Sequence, residues 1–308
     1  MKIGIPNAFL YHRYRHLWET FFREIGCEVL ISPETNKMLV RAGTSHSIDE
    51  SCLSSKIYMG HVEWLIGKCD YILIPRIATY GKDQIVCSKL QAAYDVAQNV
   101  YRDRDINILG YNIDYAKNKT EFRAFMQMGR RLKKKRFAII RAYFMAKQAE
   151  KMTHEMAVRE QSRLLQIRDK LKILIVSHGY NIHDPYIGKP VLQRLETLGC
   201  VPIIADTVER NLAVEKAKEV SPTLKWSYNQ ELLGAISIYK EDIDGIILLT
   251  TFPCGPDSLV NDIIIRRTKD KPIISLVVDE QEGMAGLETR IESFVDVIRF
   301  RQDSANRT

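Results

Sequence analysis

KIGIPNAFLYHRYRHLWETFFREIGCEVLIS, residues 2–32, decides the fold. The short apolar run Lys2 to Pro6 reads as a buried strand. Leu17, Phe21 and Ile25, with Trp18 and Phe22, then recur at helical spacing. Gly26 ends that helix and Glu28 to Ser32 forms a second strand, so the chain opens with a β-α-β unit. The pattern returns at Lys172 to Val176, followed by a loop, a helix carrying Leu192, Leu195 and Leu198, then Gly199 and the strand Val201 to Ala205. Even the cysteines correspond, because Cys27 and Cys200 each sit between a helix-ending glycine and the next strand. That position suits a small buried thiol.

Further strands are expected at Asp70 to Pro75 and near Ile106 to Tyr111, and in the second half at Gly245 to Thr250 and Pro272 to Val278. Their β-branched runs with little alternation suit parallel strands buried on both faces. Residues 117 to about 170 are rich in Ala, Met, Glu, Lys, Arg and Gln, which predicts one or two long helices. The expected fold is α/β: two doubly wound, Rossmann-like domains with mainly parallel sheets, residues 1–115 and 171–308, joined by a basic helical connector, residues 116–170.

A chain of 308 residues, 45% apolar and 27% charged, has the composition of a folded protein with room for two cores. The first strand starts at Lys2 with no charged leader, and no apolar run reaches the roughly 18 residues of a membrane span. A cytoplasmic protein with no membrane partner is therefore expected. Six scattered cysteines do not make a disulfide scaffold, so they serve as buried residues, ligands or nucleophiles. Charge is uneven: residues 116–170 hold sixteen Lys and Arg against five Asp and Glu, a surplus of eleven, which leaves −4 for the rest of a chain whose total is +7. A basic segment of this kind suits a solvated helix face, a CoA-type phosphate or an acidic partner protein. It lacks stacking aromatics and base-reading motifs, so no specific nucleic-acid partner is expected.

The chain contains no G-x-G-x-x-G, no G-x-x-x-x-G-K-[ST] and no G-x-S-x-G, and the absence of a phosphate-cradling glycine loop argues against a conventional NAD enzyme or a P-loop NTPase. In open α/β sheets ligands bind beyond the carboxyl ends of the strands. Three cysteines belong there. Cys52 opens a helix with the apolar face Tyr58, Val62, Leu65 and Ile66; Cys87 opens one bearing Leu90, Tyr94, Ala97 and Tyr101; Cys254 precedes Val260, Ile263 and Ile264. A thiol at a helix start faces free N–H groups and the positive end of the helix dipole, which favours the thiolate. By spacing alone, a metal site and three unrelated thiols both stand as readings.

The segments Ile3-Gly-Ile-Pro6, Ser32-Pro-Glu-Thr-Asn-Lys37, Asp49-Glu-Ser-Cys52, Thr251-Phe-Pro-Cys-Gly-Pro-Asp-Ser258 and Asp279-Glu-Gln-Glu-Gly-Met-Ala-Gly-Leu-Glu-Thr-Arg290 form a familiar series. Over residues 1–115 and 171–308 the chain resembles the acyl-CoA dehydratase activase-related proteins, which are similar to the cluster-bearing subunits of 2-hydroxyacyl-CoA dehydratases and to the double-cubane reductases. The resemblance implies an iron–sulfur cluster, four-iron four-sulfur or half of a double cubane, held by Cys52, Cys87 and Cys254 between two Rossmann-like domains. It also implies low-potential electron transfer, or ATP-activated reduction or dehydration of a CoA thioester, in anaerobic metabolism. The implied partners are an actin-like ATPase activator, a CoA ester or other small substrate, and further subunits in a homo- or hetero-oligomer. Ser54 and Ser88 depart from the family, which usually has Pro at the first position and commonly at the second.

His178, His183 and Tyr186, in the loop after Lys172 to Val176, are candidate catalytic residues as proton donors or substrate contacts. Arg76 lies just after a strand, and Glu288 with Arg290 suits a helix start. Two alternatives accompany the cluster reading: a non-catalytic partner of an actin-like activator, and a cluster-free binding protein whose thiols are packing residues.

Overall fold

The computed structural model describes residues 1–281 and 284–305, so Glu282 and Gly283 of the Asp279 to Arg290 motif lie outside the described residues. The chain divides into two compact units, one of Met1–Met156 with Lys225–Ser227, the other of Ala157–Leu224 with Tyr228–Thr308.

The first unit runs β1 (Lys2–Ile5), α1 (Tyr11–Glu24), β2 (Glu28–Ile31), α2 (Lys37–Ser45), α3 (Leu53–Leu65), β3 (Tyr71–Gly81), β4 (Gln84–Ile85), α4 (Ser88–Val100), β5 (Ile108–Asp114), α5 (Glu121–Arg131) and the start of α6 (Arg136–Leu165). Its sheet has the order β2-β1-β3, with β5 parallel to β3 on the far side and β4 folded back as an antiparallel hairpin arm. Ile3 and Ile5 on β1, and Leu73 and Ile74 on β3, have no more than trace exposure, as expected of strands covered on both faces. The expected strand ending at Pro75 continues to Gly81. β3 pairs with β1 only as far as Ile72 and thereafter with β5 on one side, so a proline lacking an N–H is tolerated.

The second unit contains β6 (Lys172–Val176), α7 (Gly179–Ile182), α8 (Lys189–Thr197), β7 (Val201–Ile204), α9 (Arg210–Val220), α10 (Ser227–Tyr239), β8 (Gly245–Thr251), α11 (Gly255–Arg267), β9 (Ile273–Val278) and α12 (Met284–Ala305). All four strands are parallel in the order β7-β6-β8-β9, a doubly wound sheet whose strand order reverses between β6 and β8.

The two openings end their first long helices alike. Gly26 and Gly199 take φ of +70° and +73°, and the amides of Cys27 and Cys200 reach back to the carbonyls of Phe22 and Leu195, each at 2.9 Å. This six-to-one closure needs a left-handed residue before each cysteine, which glycine adopts without strain. Between residues 117 and 170 the chain forms two helices, α5 and α6. Tyr143 and Lys147 of α6 both bond Glu121 at the start of α5, so part of the basic charge is engaged inside the first unit.

Candidate functional site

Each of the three cysteines singled out by its position is the N-cap residue of a helix: Cys52 of α3, Cys87 of α4 and Cys254 of α11. These helices lead into β3, β5 and β9, so each begins at the carboxyl edge of its own sheet. None of the three side chains bonds the first-turn amides of its helix. Cys52 is buried, whereas Cys87 and Cys254 are half-buried. Cys27, Cys69 and Cys200 instead precede β2, β3 and β7, and burial pushes all three thiols up, away from the thiolate.

The start of α3 is fixed by a close helix crossing. A Cβ on Gly43 of α2 would stand 1.7 Å from the Lys56 carbonyl oxygen, and one on Gly60 of α3 would stand 2.0 Å from that of Leu39. The Ser32 to Lys37 motif serves the same region. His61 of α3 lies between Ser32 Oγ (2.8 Å from Nδ1) and Thr35 Oγ1 (3.0 Å from Nε2), and Asn36 caps α2 by accepting from the amides of Met38 and Leu39. Burial holds the His61 imidazole down to about 4, so it is a neutral strut.

In the second unit a buried polar cluster forms at the reversal between β6 and β8. His178, the N-cap of α7, places Nε2 2.9 Å from Oδ1 of Asp257 in the first turn of α11. Asn229 Nδ2 donates to the same oxygen at 2.8 Å, and Thr250 Oγ1 donates to the other at 3.1 Å. The Cys254 thiol also bonds this carboxylate. Burial pushes the Asp257 carboxyl up, but the facing His178 charge and the bonds from His178, Asn229 and Cys254 together outweigh it and hold it at about 2. Burial likewise favours neutral His178, yet Asp257 first, then Asp206 and Glu231, turn the balance and raise it above the usual histidine range. Tyr180 stacks on the imidazole at 4.9 Å. The cluster thus fixes the helix start that carries Cys254.

The other candidates are dispersed. His183 ends α7 and is exposed, while Tyr186 donates from its hydroxyl to the Glu280 carbonyl at 3.3 Å. Arg76 is paired with Asp95 and lies over the Tyr94 ring at 4.7 Å. Arg290 donates to the Ser275 carbonyl, tying α12 to β9. Sequence reasoning missed Asp257, Asn229 and Thr250. Asp257 stands in a quoted motif, one turn beyond Cys254, but nothing local points to His178.

On the first unit's surface, Phe122, Arg123, Met126, Gln127, Arg130 and Arg136 line an open groove of about 490 Å³. Within either unit, among the described residues, no three His, Cys, Asp or Glu side chains gather as a metal-holding group. No helix among the described residues is long and apolar enough to cross a membrane.

A family model described as a CoA enzyme activase uncharacterised domain matches residues 2–208. The match contains Cys52, Cys87 and His178 and stops before Cys254 and Asp257. No curated protein matches the chain.

Proposed function

The chain belongs to the family of the CoA enzyme activase uncharacterised domain, and from that premise we propose that it serves an acyl-CoA dehydratase system as an iron–sulfur protein, with Cys52, Cys87 and Cys254 as thiolate ligands. The observation that carries this reading is the division of the six cysteines: three cap helices at the carboxyl edges of their sheets and three precede strands. The donor chemistry fits, because cysteine sulfurs are the soft ligands such clusters take.

When bound, a cluster with three protein ligands supplies low-potential electrons and one iron without a protein ligand. The chain's own residues position the donors. The Gly43–Gly60 crossing and the His61 strut seat the Cys52 turn, and the His178–Asp257–Asn229 cluster seats the Cys254 turn. Reduction or dehydration of a CoA thioester, driven by a separate actin-like ATPase activator, is the reaction this reading implies.

A second reading is favoured by the arginine-lined groove and by α6, which exposes Phe137, Phe144, Met152 and Met156 among basic residues. In it the chain docks an acidic surface of the activator without turning over substrate. Steady-state turnover of a CoA thioester with purified activator and ATP separates the two.

Iron and sulfide per chain after anaerobic purification test the cluster. Several of each are expected, with brown colour that bleaches in air. Serine at Cys52, Cys87 or Cys254 should remove most of the iron, and substitution of Cys27, Cys69 or Cys200 should spare it. Colourless protein with less than about one iron per chain after anaerobic reconstitution overturns the proposal, as does iron loss confined to the strand-start cysteines.

A further inference from the structure

Within the first unit a cavity of about 190 Å³ lies among the α2–α3 connection, α3 and α4. Its polar lining comes from His46, Ser47 and Ser51 of the α2–α3 connection, from Ser55 and Tyr58, which lie three residues apart on one face of α3, and from Lys89 of α4. Lys89 Nζ donates to Ser51 Oγ at 3.1 Å. Phe9, Met59, Ala93 and Val96 make the rest of the wall apolar.

Two features point to a ligand. Tyr58 is 2% exposed, and its hydroxyl is buried with no hydrogen-bond partner among the described residues. Buried polar groups are nearly always satisfied, so a donor left unmet beside a cavity calls for a bound acceptor. Phe9 stacks on the Tyr58 ring at 4.8 Å and packs it against the cavity wall. The second feature is the ammonium of Lys89, which supplies positive charge to a wall otherwise of hydroxyls, the His46 ring and hydrocarbon. Apolar cavities of about 150 Å³ accept a benzene ring, so this volume suits a chain of roughly four to six carbons with its head group.

We infer that this cavity binds a small monocarboxylate with an apolar body. The carboxylate accepts from Lys89 and the α3 hydroxyls, including Tyr58, and the chain packs against Met59, Ala93 and Val96. Ser51 adjoins Cys52 and Lys89 follows Cys87 by two residues, so occupancy would be felt at both thiols. The inference stands without iron and does not depend on the proposed cluster.

Calorimetric titration of the full chain with hexanoate and hexanol is the test, using wild type, Lys89→Met and Tyr58→Phe. Hexanoate should bind wild type at least about tenfold more tightly than hexanol, the scale of one charge-assisted hydrogen bond. Lys89→Met should erase that preference while leaving hexanol affinity within about threefold. Tyr58→Phe removes only an unmet hydroxyl, so the ligand-free protein should melt no earlier than wild type, yet hexanoate should bind several-fold more weakly. Equal affinity for the two compounds, no binding of either at tens of millimolar, or hexanoate binding indifferent to both substitutions overturns the inference.

Discussion

His178 and Asp257, seventy-nine residues apart in sequence, meet through an Nε2–Oδ1 contact of 2.9 Å with both side chains buried. Removing one member of a buried charged pair leaves the other uncompensated and typically costs about 3–5 kcal/mol. Asp257→Ala should therefore lower the unfolding free energy obtained from urea titration by that order, because Asn229 and Thr250 lose their acceptor as well. The sign with pH follows from His178. Its folded value is raised, so the pair's contribution is fully present below the ordinary histidine value of about 6.5 and declines as pH rises through the folded value. The stability gap between wild type and Asp257→Asn should accordingly narrow from pH 6 towards pH 9. A gap under about 1 kcal/mol, or one that does not change with pH, contradicts this account.

The sequence showed the strands and the helix starts for physical reasons that left this pair hidden. Apolar runs bounded by Gly26 and Gly199 mark the two β-α-β openings, since a buried parallel strand must be apolar on both faces and a helix turning into it needs a left-handed cap. The same periodicity placed Cys52, Cys87 and Cys254 one residue ahead of apolar helices, where the structure has them. Long-range polar pairing has no such local signature. Asp257 reads as an ordinary acidic first-turn residue and His178 as a loop histidine, and only the strand order β7-β6-β8-β9 sets their loops side by side. The hairpin β4 was equally silent, for two residues carry no period.

His61 titrates in the opposite sense to His178. Its folded value is held down to about 4 by burial, so the unfolded chain takes up the proton first, near 6.5. Stability contributed by the neutral ring is present above that value and lost as pH falls towards 4, by about 3 kcal/mol for a shift of this size. His61→Gln should flatten that acid-side loss, at the expense of some stability at neutral pH from imperfect bonds to Ser32 and Thr35. Parallel unfolding midpoints for wild type and variant between pH 6.5 and 4 would exclude the neutral-strut role.

Cys27 and Cys200 occupy equivalent closures of α1 and α8, with raised thiols and little exposure. Alanine at either should cost only about 1 kcal/mol, the loss of one buried sulfur. Neither variant should gain or lose reactivity towards a soluble thiol reagent at pH 7, in contrast to Cys87 and Cys254, which are half-buried at helix starts. Thermal midpoints and labelling stoichiometry check both points. Fast labelling at Cys27 or Cys200 in the folded protein would show that the two sets of thiols are not separated as the structure has them.

Gly43 and Gly60 share a single helix crossing, and their substitutions should not add. Either added Cβ meets a backbone carbonyl, at 1.7 Å from Lys56 O or 2.0 Å from Leu39 O, and a backbone atom cannot rotate aside. The helices must then move apart, so Gly43→Ala and Gly60→Ala should each destabilise by about 3 kcal/mol or more, the upper end of overpacking. Once one substitution has separated α2 from α3, the second meets less resistance, and the double variant should lose markedly less than the sum. Gly286→Ala is the contrast: nothing lies within 4 Å of a Cβ there, and alanine should leave stability unchanged or raise it by about 0.5–1 kcal/mol through helix propensity. Because α3 carries Cys52 at its first turn, the displaced helix should also change the rate at which that thiol is labelled, whereas Gly286→Ala should not. Fully additive losses at Gly43 and Gly60, with Cys52 labelling unaltered in both variants, would mean that the crossing neither acts as one contact nor sets the position of the thiol.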